Sequence, residues 1–466
     1  MPTEQGSFAV SYPAVPVTPD TVLACRNNML LTVTSNFSGV LDVVNSKGVQ
    51  CALAAVLAMG AVTGSAQASA APADFYSTPS ELPAAAGQLI RSEPASMLLR
   101  VPTATGGLPA DSTRIMYRTA DSNGEPIAVT GTYFDPQAPW TGAGERPLVS
   151  VAIGTHGQGD QCAPSKLFGQ VVNVDSHLAP MVEYESIAVN NLLLRGVAVV
   201  VTDYEGLGTE GVHTYVNRES EAHAVLDAVR AAQALPGTSI APDGPVGFWG
   251  YSQGGGAAAA AAELAPQYAP ELDVKGTYAG APPADLFATL EEIDGSSLTG
   301  AIGYAINSLV EAYPELRPSL DVEINDRGRD MLARVADQCV AETAAAFGFQ
   351  QTSSFTRSGE PLSVVLDRLP VARELLDRQR IGRLTPSAPA LVQSGIQDDI
   401  VPFGQAAQLA TDWCAAGATV QFTENAAPAM GRGLGVNHVA PMLLGLPEAT
   451  QFMLDRFNGV PTAGNC

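Results

Sequence analysis

Positive charge is what this sequence has least of. Its 24 Lys and Arg stand against 47 Asp and Glu, a formal net charge of -23. A nucleic-acid partner would be repelled by that balance, and no cluster of Lys or Arg exists to override it. Charged residues of either sign make up only 15% of the 466 residues, while hydrophobic residues make up 46%. That composition excludes a disordered chain and leaves room for one large domain with insertions or for two domains. No apolar run reaches the ~18–20 residues needed to cross a bilayer, so no transmembrane anchor is expected. Cysteine is scarce as well, at six residues. No C-x-x-C pair and no His/Glu cluster has metal-ligand spacing, so neither a metal nor a cofactor is expected. Neutral or apolar substrates fit this balance best; oligomeric state is not legible.

The apolar run that comes nearest to a span covers 49–62. Lys47 precedes it and the small residues "AQASA" follow at 66–70. This is the basic, apolar and A-x-A order of a secretory signal. Residues 47–70 are therefore read as a signal peptide, with the mature chain beginning near Ser69 or Ala71 outside the cell. Residues 1–46 do not resemble a signal and read as an extension ahead of the true start, near Val43 or Val44. Cys25 and Cys51 lie in or before that segment, which leaves Cys162, Cys339, Cys414 and Cys466. An even number in an exported chain implies two disulfides.

Residues 71–112 are rich in Pro, Ala and Ser and read as irregular structure on the outside. Two alternating runs around Asn123-Gly124 then predict a β-hairpin. Apolar β-rich runs follow at 147–153, 197–202, 246–249, 274–279, 390–393 and 419–423, with helical patterns such as 219–235 between most of them. Alternation of this kind predicts an α/β fold, a mostly parallel central sheet flanked by helices. Function in such sheets sits beyond the C-terminal strand ends. One connection breaks the rhythm. Helical patterns at 298–313, 328–347 and 361–378 fill a connection far longer than the ~2–6 residues usual for a βα loop. Hence the expected organisation is a core from 71–280, a helical cap or lid at 281–385, and the rest of the core at 386–466.

"GYSQGG" at 250–255 ends one of the predicted strands and opens an Ala-rich helix. A serine there fits a nucleophile elbow, in which a strained turn exposes a hydroxyl above the sheet. A serine hydroxyl is a weak nucleophile and needs a base oriented by a carboxylate. On this fold the order is serine, acid, histidine. Of the five histidines, His156, His177, His213, His223 and His438, only His438 follows Ser252. It stands in the Gly-rich "GLGVNHVAP", expected to be a loop before the C-terminal helix. "GIQDDIVP" supplies the acid, with Asp398 preferred to Asp399 as nearer the strand end, and Asp399 expected to be a solvated loop charge. The carboxylates of Asp203 and Glu205 precede the serine and read as structural or site-shaping. For a developing oxyanion, one N–H donor is expected at Gln253, after the nucleophile. The other is expected from "GTHGQGDQCAPS", at Gly157 or Gln158.

Together, "GTHGQGDQCAPS", "VVVTDYEGLGTEGVHTYVN", "GYSQGG", "GIQDDIVP" and the late "NHV" resemble the secretory lipase family of fungi and actinobacteria, over roughly residues 80–460. The resemblance implies an α/β-hydrolase fold with a helical cap and a Ser252–His438–Asp398 triad. It also implies disulfides joining Cys162 to Cys339 and Cys414 to Cys466. The implied substrate is a carboxylic ester or lipid, with acylglycerols foremost, cleaved through an acyl-enzyme on Ser252. The alternatives are an acyltransferase on the same fold and a short-chain carboxylesterase. A smaller cutinase-like enzyme ranks below them, because it would lack a cap. A binding protein that keeps a dead hydrolase fold is disfavoured by a triad complete in order.

Overall fold

The computed structural model describes residues 74–97, 110–169, 173–174, 180–181 and 183–466, together with one short strand pair near the N-terminus. The chain forms two units, Met1–Ala73 and Asp74–Cys466. In the first, Leu23–Cys25 pairs antiparallel with Met29–Leu31. The signal segment at 47–70 and the processing sites lie outside the described residues.

The second unit is built on a nine-stranded sheet. Its strands are β1 (Leu89–Ala95), β2 (Ala110–Ala120), β3 (Pro126–Pro136), β4 (Leu148–Ala152), β5 (Ala198–Thr202), β6 (Val246–Tyr251), β7 (Val274–Gly280), β8 (Ala390–Gly395) and β9 (Val420–Asn425). They lie in the order β9-β8-β7-β6-β4-β5-β3-β2-β1. From β9 to β5 every pairing is parallel, and β3, β2 and β1 join antiparallel. Every residue of β4, β5 and β6 is buried, as continuous apolar runs of a parallel sheet covered on both faces require. β1 was not expected. It is an edge strand that includes Pro94, and the edge is where a strand tolerates a residue lacking a donor.

Helices cover both faces. Ser150 of β4 donates its hydroxyl to Val225 O in α2 (Arg218–Gln233), 2.9 Å away. Gly247 of β6 pairs with the neighbouring Val149. A Cβ at Gly247 would stand 2.2 Å from Met453 of α12 (Val436–Phe457). Successive residues of a strand face opposite sides, so α2 and α12 lie on opposite faces. α3 (Gln253–Tyr268) packs beside α2, and α1 (Ser186–Leu193) touches α12. α11 (Phe403–Ala415) connects β8 to β9.

Between β7 and β8 the chain is helical: α4 (Leu286–Ile293), α5 (Ala301–Ala312), α6 (Arg317–Glu323), α7 (Asp326–Val335), α8 (Val340–Phe347), α9 (Leu362–Arg368) and α10 (Pro370–Arg378). These helices share their own apolar core, which Ile400 and Val401 join from the loop after β8. The sequence pattern over 328–347 spans two helices, interrupted where Cys339 bridges to Gly157. The pattern over 361–378 also divides, at Pro370, whose missing N–H and fixed φ suit a first helical turn.

Candidate active site

β6 delivers Ser252 at the turn into α3 with φ 59° and ψ -126°, a strained conformation for a residue with a side chain. Glycines make the turn possible. A Cβ at Gly250 would lie 1.9 Å from Gly254 O, one at Gly254 2.0 Å from Ala152 O, and one at Gly255 2.1 Å from Gly280 O. None of these backbone atoms can give way, so the glycines of "GYSQGG" are steric requirements of the elbow. Ser252 N–H donates to Gly280 O at 2.9 Å, which pins the strained residue to β7.

Ser252 Oγ lies 2.8 Å from His438 Nε2, and His438 Nδ1 lies 2.8 Å from Asp398 Oδ2. The three residues expected from chain order are thus brought together in hydrogen-bonding order. With Nδ1–H donating to the carboxylate, Nε2 is free to accept the serine proton. Asp398 is oriented by its own backbone: its Oδ1 accepts from Ile400 N–H at 3.0 Å and Val401 N–H at 2.9 Å. Tyr251 OH donates to His438 O at 2.6 Å, tying the histidine's backbone to the strand that carries the serine.

Two expectations about these residues are corrected. His438 is not in a loop but in the first turn of α12, which Gly435 opens with φ 77°. Pro441 and Pro447 inside that helix masked its start in the sequence. Asp399 is not a solvated charge. It is 3% exposed and accepts Gly435 N–H at 3.2 Å, so it holds the N-terminus of the helix that carries His438.

Of the expected oxyanion donors, Gln253 is the first residue of α3, where backbone N–H groups have no intrahelical acceptor. Gln158 is excluded, because its N–H donates to Gln338 O at 3.0 Å. Gly157, at φ 134°, forms an antiparallel bridge with Cys339. The flanking pairs Val340 N–His156 O and Gln158 N–Gln338 O make the hydrogen bonds, so Gly157 N–H points away from Cys339. Thr155 was missed. It lines the cavity beside Ser252 and Gln253, and its place just beyond the end of β4 is the signal that could have marked it.

The loop that carries these groups is clamped from both sides. Cys162 of the loop is bonded to Cys339 of the helical insertion; the other disulfide, Cys414–Cys466, takes no part in this clamp. On the other side Gly154 N–H donates to Glu185 Oε1 at 2.7 Å and Tyr184 OH to Thr155 O at 2.9 Å. His156, fully buried, contacts Gly154 O at 2.9 Å and Glu183 Oε2 at 3.1 Å. Burial alone would depress its pKa, but the charge and hydrogen bond of Glu183 and the Gly154 carbonyl raise it to about 9. At neutral pH it is therefore an imidazolium that holds the loop, and its two ring nitrogens are bonded to Gly154 and Glu183 rather than to Ser252. Asp203, also buried, accepts from Thr130 Oγ1, Ser165 N–H and Ser165 Oγ.

Above the serine lies a cavity of about 740 Å³, counted to its open mouth. Its walls come from α4, α5, α9 and α10 and from Ile400 and Val401, and they are overwhelmingly apolar. Ile302, Ile306 and Leu309 share one face of α5 and all three line it. Among the described residues no group of three or more His, Cys, Asp or Glu is placed to hold a metal ion, and no helix is long and apolar enough to cross a membrane.

Residues 173–465 match the sequence profile of a family described as secretory lipase. A protein of Mycobacterium tuberculosis named "Probable inactive lipase" is 28% identical over 353 residues, covering 76% of this chain and 75% of that one. A secreted triacylglycerol lipase of Malassezia restricta is 27% identical over 353 residues, covering 74% and 71% respectively. Among solved structures, lipase A of Candida antarctica in its closed state superposes with a TM-score of 0.68 at 24% identity, over 83% of this chain and 86% of that one. That likeness shows a common α/β-hydrolase fold.

Proposed function

Since the chain belongs to the secretory lipase family and is a carboxylic ester hydrolase of lipase type, we propose that it is exported and cleaves acylglycerols through an acyl-enzyme on Ser252. The observation that carries this reading is the Ser252–His438–Asp398 chain of hydrogen bonds, both at 2.8 Å, whose serine lines an apolar cavity. Ser252 Oγ attacks the ester carbonyl while His438 Nε2 takes its proton, and Asp398 holds the imidazolium. The oxyanion forms against Gln253 N–H and an amide of the loop at Thr155 or Gly157. His438 then gives the proton to the departing alcohol, and water repeats the sequence on the acyl-enzyme.

The helices of 281–385 act as a cap whose cavity receives the acyl chain. An uncharged, flexible chain suits these walls better than a peptide does, because a peptide would leave its backbone polar groups without partners. Residues 47–70 act as the export signal, and two disulfides fit the oxidising compartment that follows. The name of the mycobacterial relative concerns that protein; here nucleophile, base and acid stand in hydrogen-bonding order.

Hydrolysis of p-nitrophenyl esters of increasing acyl length tests the reading. Each buried methylene contributes up to about 0.8 kcal/mol, so kcat/KM should climb from acetate to medium or long chains and then level off. Ser252→Ala should abolish hydrolysis. A flat or falling series leaves a short-chain esterase, and faster transfer to an added alcohol than to water makes the protein an acyltransferase.

A further inference from the structure

The cavity over Ser252 is one of two apolar spaces near the Ser252–His438 pair, and only that one has been given an occupant. Beside His438 opens a second concavity of about 790 Å³, counted to its mouth, on the N-terminal half of α12. Leu434, Val436, Val439 and Leu443 line it with His438, and each of the four is close to half exposed. Val436, Val439 and Leu443 recur at helical spacing, so they form one apolar face of α12. Ser297 and Leu298 complete the opposite wall, and no Asp, Glu, Lys or Arg lines it. Leu298 also lines the cavity over Ser252, so the two spaces meet at one side chain.

We propose that this groove binds the alcohol portion of the ester, and that its occupant is an uncharged alkyl or acyl-bearing alcohol. The inference rests on the serine hydrolase reading above. The chemistry divides the substrate at the scissile bond. The carbonyl oxygen must point at Gln253 N–H and the Thr155–Gly157 loop, and Thr155 and Gln253 line the cap cavity with Ser252. The leaving oxygen must instead lie at His438 Nε2. As the acyl C–O bond breaks, the proton taken from Ser252 Oγ passes from Nε2 to that oxygen, and the Oγ–acyl bond remains. A group attached to that oxygen leaves past His438, which lines the groove, and Leu298, which lines both spaces, marks the passage between them. A small or charged alcohol would leave this face wet and unused.

Two series of esters, each kept below the concentration at which it aggregates, test the assignment. One holds the butanoyl group and lengthens the alcohol from methyl to hexyl; the other holds the methyl alcohol and lengthens the acyl chain. In an open groove each methylene should raise kcat/KM by about twofold, half the contribution of full burial on a logarithmic scale. Leu443→Ser with Val439→Ser should flatten the alcohol series and leave the slope of the acyl series in place. Ile306→Trp, inside the cap cavity, should alter the acyl slope only, and Val322→Ser, exposed elsewhere, neither. A wild-type alcohol series that is already flat beside a rising acyl series overturns the groove and leaves the hydrolase reading standing. Loss of both slopes in the double variant, or a loss seen only once the substrate aggregates, makes the face a docking surface for lipid aggregates and also overturns it. Absence of hydrolysis in both series defeats the hydrolase reading itself, and the groove with it.

Discussion

The side-chain amide of Gln253 donates to Glu221 Oε1 at 2.7 Å and to His213 Nε2 at 3.1 Å. The residue after the nucleophile is thereby fixed by two buried groups of α2 and the loop before it. Burial lowers the His213 pKa to about 4, so its neutral ring donates from Nδ1 to Glu205 O and accepts at Nε2. Burial raises the Glu221 carboxyl to about 8, against the smaller opposing pull of its bonds from Gln253 and Val216 N–H.

Glu221 should therefore be neutral at pH 7 and become an anion behind Gln253, the proposed oxyanion donor, above about pH 8. An anion there opposes the charge that develops on the substrate. The kcat/KM profile should fall above about pH 8, and Glu221→Gln should hold its plateau to higher pH. Stability carries the same sign. The carboxyl binds its proton more tightly folded than unfolded, so its cost to the fold grows from about pH 4.5 to about pH 8 and then stays constant. Chemical denaturation of both proteins across that range measures it, and identical pH dependence would count against the assignment.

Asp398 and Asp399 are adjacent yet should respond differently. Asp398→Asn leaves the fold intact but upsets the imidazole tautomer, so turnover should fall by about four orders of magnitude. Asp399→Asn weakens the bond to Gly435 N–H and leaves the triad chemistry whole. A loss of about tenfold in kcat and about 1–2 kcal/mol of stability is expected, as for one weakened buried hydrogen bond to a charged group. Steady-state kinetics with urea titrations separate the two effects.

His156→Gln should lower kcat with little change in KM, because it loosens the loop that carries the oxyanion donors without touching the acyl cavity. The imidazolium's pKa is raised in the fold, so its stabilisation is complete below about 6.5 and is lost as pH rises through about 9. Wild type should lose melting temperature over that interval more steeply than His156→Gln does.

The Cys162–Cys339 bridge closes a loop of 177 residues. Chain entropy puts its removal at up to roughly 5 kcal/mol. Paired Cys162→Ser and Cys339→Ser should lower the melting temperature and also kcat, since the bridge ties the donor loop to α8. The Cys414–Cys466 bridge reaches no site residue, so paired replacement there should reduce stability while kcat holds.

The sheet was legible because fully buried strands such as β5 are continuous apolar runs, and chain order, which left one histidine after Ser252, singled out residues that the fold brings within hydrogen-bonding distance. β1 was hidden because an edge strand need not alternate cleanly and can hold Pro94. His438 looked like a loop residue because prolines at 441 and 447 disguise the helix behind it. Asp399 could not be told from a surface charge, since its partner is a backbone N–H of a residue distant in sequence. Gln158 N–H could not be told from a free donor for the same reason: its acceptor, Gln338 O, belongs to the helical insertion. Local pattern shows what a segment can form; it does not show which backbone groups a distant segment will claim.

The most direct test of the account is covalent. Treating the protein with an alkyl phosphonate ester and mapping the modified peptide should find one adduct, on Ser252, with loss of ester hydrolysis in step with labelling. Ser252→Ala should take up no label and hydrolyse no ester. A label on another residue, or undiminished hydrolysis by Ser252→Ala, would contradict the assignment of Ser252 as the nucleophile.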